Sequence, residues 1–166
     1  MFQSPSVSIE SMSKEEKYKE VLLQIPALVN SEPNSVANLA NITALLKDYF
    51  HWWWVGFYLV EGEQLVLGPF QGPVACTRIW RGKGVCGTAW ERNETIRVDD
   101  VNKFPGHIAC SAASQSEIVV PLRHENEVIG VLDVDSEHLG HFDETDAKYL
   151  GEIASISASL FSSKRF

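Results

Sequence analysis

No apolar run in the chain approaches the ~18 residues of a membrane span, so a membrane-embedded protein is not expected. The first residues, Met1 to Ser6, lack a basic region followed by an apolar core. No secretory signal is therefore expected, and a cytoplasmic location follows. Positive charge is scarce: Lys and Arg number 14 against 22 Asp and Glu, giving a net charge of −8 and a pI near 5.1. That balance argues against nucleic acid or an anionic membrane surface as the main partner. Cysteine is scarce too. Cys76, Cys86 and Cys110 are an odd, small set with gaps of nine and 23 residues and no Cys-x-x-Cys. They do not read as a disulfide scaffold. His107, His124, His138 and His141 show no zinc-ligand spacing, so no metal is expected. Inert buried thiols and thiol redox chemistry both remain open for the three cysteines. No internal repeat appears.

What is present suffices for one folded unit. A chain of 166 residues buries roughly 70% of its unfolded surface. A flexible Ser-rich tail is expected over 1–12 and a single domain over 13–166. Ser13-Lys-Glu-Glu16 is a capping box, followed by Tyr18, Val21, Leu22 and Ile25 at helical spacing, with Pro26 predicted to end the helix or begin a short turn. A second helix is predicted from Glu32-Pro-Asn-Ser35, with the stripe Val36, Leu39, Ala40, Thr43, Leu46 and Phe50. Residues 52–60 form an aromatic strand, turned at Glu61-Gly62-Glu63 and paired back through Gln64 to Gly68. Alternation predicts Trp52, Trp54, Gly56 and Tyr58 on one face and Trp53, Val55, Phe57 and Leu59 on the helix-packed face. The first set mixes indole, bare backbone and phenol, a composition suited to a pocket wall. After a Gly/Pro loop over 69–75, a short strand is predicted at Cys76 to Trp80. A short helix follows Arg81-Gly-Lys-Gly84, and its Gly-x-Gly reads as a plain turn or, more weakly, as an anion-facing helix start. Thr95 to Val98 is a strand. Asp99-Asp100 reads as a cap or a solvated pair, and Asp143 caps a last helix.

The stretch 107–136 organises the rest. A small-residue loop carrying Cys110 leads into an apolar strand with Pro121, which suits an edge or strand end. The turn Arg123 to Glu127 follows, then Val128 to Val134. Alternation projects Ile129, Val131, Asp133 and Asp135 to one face. Asp is disfavoured in strands, so two on one face ask for a reason. A solvated outer face is one; a polar pocket over the sheet, reachable by Glu117 and Cys110, is the other. The alternation of helices with short hairpins makes the class α+β with a largely antiparallel sheet.

Ile118-Val-Val-Pro-Leu122, a polar turn, then Val128-Ile-Gly-Val-Leu-Asp-Val-Asp-Ser136 and a capped helix resemble the end of a GAF domain. Trp54 to Leu59, Gly68-Pro-Phe-Gln-Gly72 with Cys76, Gly82 to Ala89, and His107-Ile-Ala-Cys110 leading to Ser116-Glu117 sharpen this. Together they resemble the free methionine-(R)-sulfoxide reductases, stand-alone GAF enzymes, over residues 15–160. The resemblance implies a six-stranded antiparallel sheet with helices on both faces. It implies Cys110 as nucleophile, Cys76 as resolving thiol and Cys86 as auxiliary thiol. Substrate contacts would come from Trp54, Tyr58, Glu117, Asp133 and Asp135. No cofactor is implied beyond thioredoxin as external reductant, and a homodimer is carried over with it. Trp52 and Trp53 depart from the family, and Trp52 on the pocket face would narrow the entrance.

The implied chemistry makes sense of the residues. The nucleophile must be a thiolate, and a free thiol is only slightly ionised at neutral pH. Nearby carboxylates raise a thiol pKa rather than lower it, so they serve the substrate better. One or two would bind its ammonium; another, pushed upward by crowding, would protonate the sulfoxide oxygen. Trp54 and Tyr58 would enclose the S-methyl group. The alternatives are a GAF module that binds a small molecule, which ordinarily needs an output domain for which this chain leaves no room, and a thiol redox sensor, which leaves the acids without a role.

Overall fold

The computed structural model describes residues 7–108, 110 and 112–161. Helix α1 (Lys14–Val29) opens on the expected capping box: the Ser13 hydroxyl accepts from the Glu16 amide, and the Glu16 carboxylate accepts from the Ser13 amide. Helix α2 (Ser35–Phe50) begins at Asn34, whose side chain accepts from the Ala37 amide, and ends at His51 in the left-handed region. Strands β1 (Trp54–Glu61), β2 (Gln64–Gln71) and β3 (Arg78–Trp80) follow. Helix α3 (Gly84–Arg92) leads to β4 (Ile96–Val98), β5 (Ser116–His124), β6 (Glu127–Ser136) and α4 (Glu144–Ser159). The six strands form one antiparallel sheet in the order β3-β2-β1-β6-β5-β4. The β5–β6 turn has Glu125 and Asn126 both at positive φ, 51° and 67°, the backbone that lets a two-residue connection follow the twist of its strands.

Helices cover both faces, unequally. Against α1, α2 and α4 the sheet turns Val55, Phe57, Ile118, Val120, Leu122, Leu132 and Val134. Lys14 and Tyr18 donate to the buried Asp146 at 2.7 and 2.5 Å, tying α1 to the start of α4. The other face turns Trp54, Tyr58, Val119 and Val131 toward Val85, Cys86, Ala89 and Trp90 of α3. At nine residues, α3 is only about 14 Å long, whereas a six-stranded sheet spans roughly 24 Å. The part of this face beyond α3 is what becomes a cleft.

Several local expectations are corrected. Pro26 lies inside α1 rather than ending it; the Asn30 amide still donates to the Pro26 carbonyl, and Ile25 and Val29 on either side are buried, so packing offsets the lost hydrogen bond. Val36 in α2 is exposed, and Ile42 holds the core place instead. The first strand starts at Trp54, two residues later than expected. Trp52 therefore leaves the pocket face: it is buried in the helix core, stacked on Phe50 with centroids 4.3 Å apart. Trp53 moves the other way, onto the cleft side. Strand β2 runs on through Pro69 to Gln71, and β3 starts at Arg78, leaving Cys76 in a loop. Residues 1–6 of the expected tail lie outside the described residues; Ile9 and Met12 pack against the helix core. Pro121 sits within β5 but beyond the reach of β4, which pairs only with 117–119, so no ladder donor is missed there. In the loop before α3, the Gly82 and Lys83 amides donate to Gly87 and Trp80 carbonyls, which is the plain-turn reading. Asp100 is a cap, accepting from the Asn102 amide at 3.0 Å.

Position 56 of β1 has no room for a side chain beside Trp54 and Phe70. A Cβ there would stand 2.4 Å from Phe70 Cβ and 2.5 Å from Trp54 Cη2. Gly56→Ala is expected to cost about 1–3 kcal/mol through overpacking and to displace the Trp54 indole, read by denaturant unfolding and by tryptophan fluorescence.

Candidate active site

Three central strands build the floor of the cleft by register alone. Trp54 on β1 lies opposite Asp135 on β6, which lies opposite Glu117 on β5. The next row on the same face is Gly56, Asp133 and Val119; the next is Tyr58, Val131 and Pro121. The two aspartates expected on one face thus share it with Glu117, Trp54 and Tyr58. The loop after β2, the start of α3, and His107, Ile108, Cys110 and Ser114 wall off a space of about 600 Å³, counting its solvent-open mouth.

The acids are buried, not solvated: Glu117 and Asp133 each keep only 6% exposure. The Cys86 thiol reaches in from α3, its Sγ 3.9 Å from Glu117 Oε1. Asp135 accepts from the Ser114 hydroxyl at 2.9 Å. His107 Nε2 stands 3.9 Å from Glu117 Oε2. Asp133 Oδ1 is buried with no hydrogen-bond partner among the described residues, an oxygen that awaits a donor. Burial first, and the neighbouring Asp133 charge second, push the Glu117 and Asp135 carboxyls well above the usual range. Burial also raises Asp133, against hydrogen bonds with Glu117 and Cys86 that pull it down. Desolvation is thus a larger cause than the mutual crowding expected from the sequence. Burial, then Asp133 and Glu117, raise the Cys86 thiol strongly, so it is no ready thiolate. Burial lowers His107, keeping it neutral.

Cys110 lines the same space and is bonded to Cys76, with Cα atoms 5.6 Å apart across a sequence separation of 34. Cys86 is the remaining free thiol. Cys76 is held from the sheet as well: the Tyr58 hydroxyl donates to its carbonyl at 2.8 Å. Trp54 Nε1 donates to the Pro73 carbonyl at 3.1 Å, so both pocket aromatics clamp the loop that carries Cys76.

The sequence and fold are similar to those of known proteins. A GAF domain model matches residues 39–162. A free methionine-R-sulfoxide reductase of Escherichia coli is 50% identical over 143 residues, covering 86% of this chain and 87% of its own. The chain belongs to the free methionine-R-sulfoxide reductase family, built on the GAF domain. GAF domain-containing protein A of Dictyostelium discoideum is 60% identical over 148 residues, or 89% of this chain and 94% of that relative. The X-ray structure of the Neisseria meningitidis free methionine-R-sulfoxide reductase, in complex with its substrate, superposes with a TM-score of 0.90 at 56% identity, covering 94% of this chain and 95% of that one.

For this reductase-family chain, all eight residues singled out in the sequence come together: seven line the cleft, and Cys76 joins them through its bond to Cys110. The lining also includes Trp53, Lys83, His107 and Ser114, to which the sequence reading gave no site role. His107 opens the organising stretch, a signal that was present. Ser114 and Lys83 sit in loops, where no periodicity aims a side chain.

Raised carboxyl pKa values mean that the folded state binds protons the unfolded chain has released. Stability contributed at low pH is therefore lost as pH rises from the ordinary carboxylate range toward the raised values. Asp133→Asn removes a buried charge, one of whose oxygens has no partner among the described residues. It is expected to raise Tm by a few degrees at about pH 8, with the gain shrinking toward about pH 4; calorimetry at the two pH values checks this.

Proposed function

We propose that this protein reduces free L-methionine (R)-S-oxide to L-methionine, with Cys110 as the nucleophile. The observation that carries this reading is the Cys76–Cys110 disulfide at the mouth of a cleft floored by buried carboxyls. The Cys110 thiolate attacks the sulfoxide sulfur while a carboxylic acid protonates the oxygen. Methionine leaves, and Cys110 keeps the oxygen as a sulfenic acid. The Cys76 thiol condenses with it, releasing water and forming the disulfide. A thioredoxin-type dithiol then reduces the bridge by exchange and is itself oxidised. The cycle runs on thiols alone, with no cofactor. A reducing compartment such as the cytoplasm fits this cycle, and a homodimer comes with the family resemblance. Among the described residues no helix is long and apolar enough to cross a membrane.

We assign the acid to Glu117, whose burial beside Asp133 and Asp135 favours its neutral form. Asp133, whose Oδ1 lacks a donor, and Asp135 receive the substrate's ammonium. Trp54 and Tyr58 enclose the methyl group, and a positive charge growing on sulfur is attracted to the indole face. Cys86 is the auxiliary thiol; it lines the same cleft as Cys110.

Purified protein with thioredoxin or a dithiol is expected to consume the R epimer of free methionine sulfoxide and leave the S epimer. Cys110→Ser is expected to abolish turnover, and retained turnover would refute the assignment. Substrate added to reduced enzyme without reductant should yield one methionine and a protein lighter by two protons, an outcome a ligand sensor would not give. Glu117→Gln is expected to lower kcat by roughly 10²–10⁴-fold. The wild-type rate should fall on the alkaline side as the raised carboxyl ionises, and in Glu117→Gln that limb should vanish from the residual activity.

A further inference from the structure

We propose that Cys86, Glu117 and Asp133 form a binding site for one soft divalent cation of the zinc class on the floor of the cleft. Their ligand atoms all lie within 4.8 Å of one another, and all three residues are buried. Zn²⁺ bound at about 2.3 Å to sulfur and 2.0–2.2 Å to oxygen holds its tetrahedral ligands roughly 3.3–3.8 Å apart. The Cys86 Sγ to Glu117 Oε1 separation of 3.9 Å is already close to that spacing. The independent sign of a ligand is Asp133 Oδ1, buried and without a partner in the same cluster. A cation would satisfy it. His107 Nε2 lies 3.9 Å from Glu117 Oε2, just outside the cluster. One sulfur with carboxylate oxygens selects a thiophilic metal; Mg²⁺ and Ca²⁺ prefer all-oxygen shells. Binding displaces the Cys86 thiol proton and any carboxyl proton to solvent, and the metal takes their place. No oxidation change is involved.

The site survives in the disulfide form, because Cys86 is the thiol left free when Cys76 and Cys110 are bonded. Occupancy uses two of the carboxylates that the proposed function gives to the substrate. The further claim that the metal competes with methionine sulfoxide rests on that reading; the site itself does not.

The test uses oxidised full-length protein with Cd²⁺ as probe, because a cadmium–thiolate bond absorbs in the ultraviolet. One equivalent of Cd²⁺ is expected to produce the charge-transfer band with release of protons, and excess Mg²⁺ should neither produce nor displace it. Zn²⁺ should bleach it. Cys86→Ala should abolish the band, and Asp133→Asn, which keeps the thiol, should weaken binding at least tenfold. No band in the wild type, or a band undiminished in both variants, overturns the site. Because the readout needs no turnover, a preparation inactive on methionine sulfoxide that still shows the band supports the metal site while refuting the reductase reading. In active enzyme, Zn²⁺ should raise the apparent KM with kcat unchanged; a fall in kcat alone overturns the competition.

Discussion

Cross-strand register is the constraint on which the rest depends. Side chains alternate across a strand, so a slip of one residue between β1, β6 and β5 would send every acid to the opposite face. In the observed pairing, Trp54, Asp135 and Glu117 form one row, with Asp133 beside Gly56 in the next. The same pairing sends Val55, Leu132, Val134, Ile118 and Val120 into the helix core. The burial of apolar side chains on one face therefore holds the ionisable groups in place on the other. That coupling lets the sheet carry desolvated carboxyls that would otherwise favour water.

The unequal helix layers set the dielectric of the cleft. Three long helices seal one face, while short α3 and two loops only partly roof the other. The roof is close enough to strip water from Glu117 and Asp133, yet open enough to admit a small zwitterion. Its inner side presents a protonated thiol, Cys86, and its outer side the bridged pair Cys76 and Cys110. Thiols of one sequence thus experience two environments: Cys86 is buried against negative charge, whereas Cys110 is half-buried at the mouth.

Much of this was legible before the fold was seen, and for physical reasons. Period-two alternation put Asp133 and Asp135 on one face, a capping box marked the start of α1, and a capping Asp143 marked that of α4. The pairing of Cys76 with Cys110 was legible only as a family resemblance, because spacing does not say which thiols meet. Trp52 misled because alternation was extended two residues before the strand begins; the left-handed turn at His51 rotates the chain out of the pleat. Pro26 misled because a local rule met a buried helix face. Ser114 and the orphaned oxygen of Asp133 depend on loop placement and desolvation, which no one-dimensional pattern encodes.

The bridge between positions 76 and 110 closes a ring of chain that contains β3, α3 and β4. Closing a loop with a sequence separation of 34 removes roughly 4 kcal/mol of unfolded-state entropy in the chain-entropy model. Opening and closing that ring changes how firmly the roof is tethered, quite apart from what the sulfur atoms do to a substrate. A molecule cycling between the two forms would carry a thermal resistance that depends on the electron supply around it, and its reduced form would be the more easily unfolded.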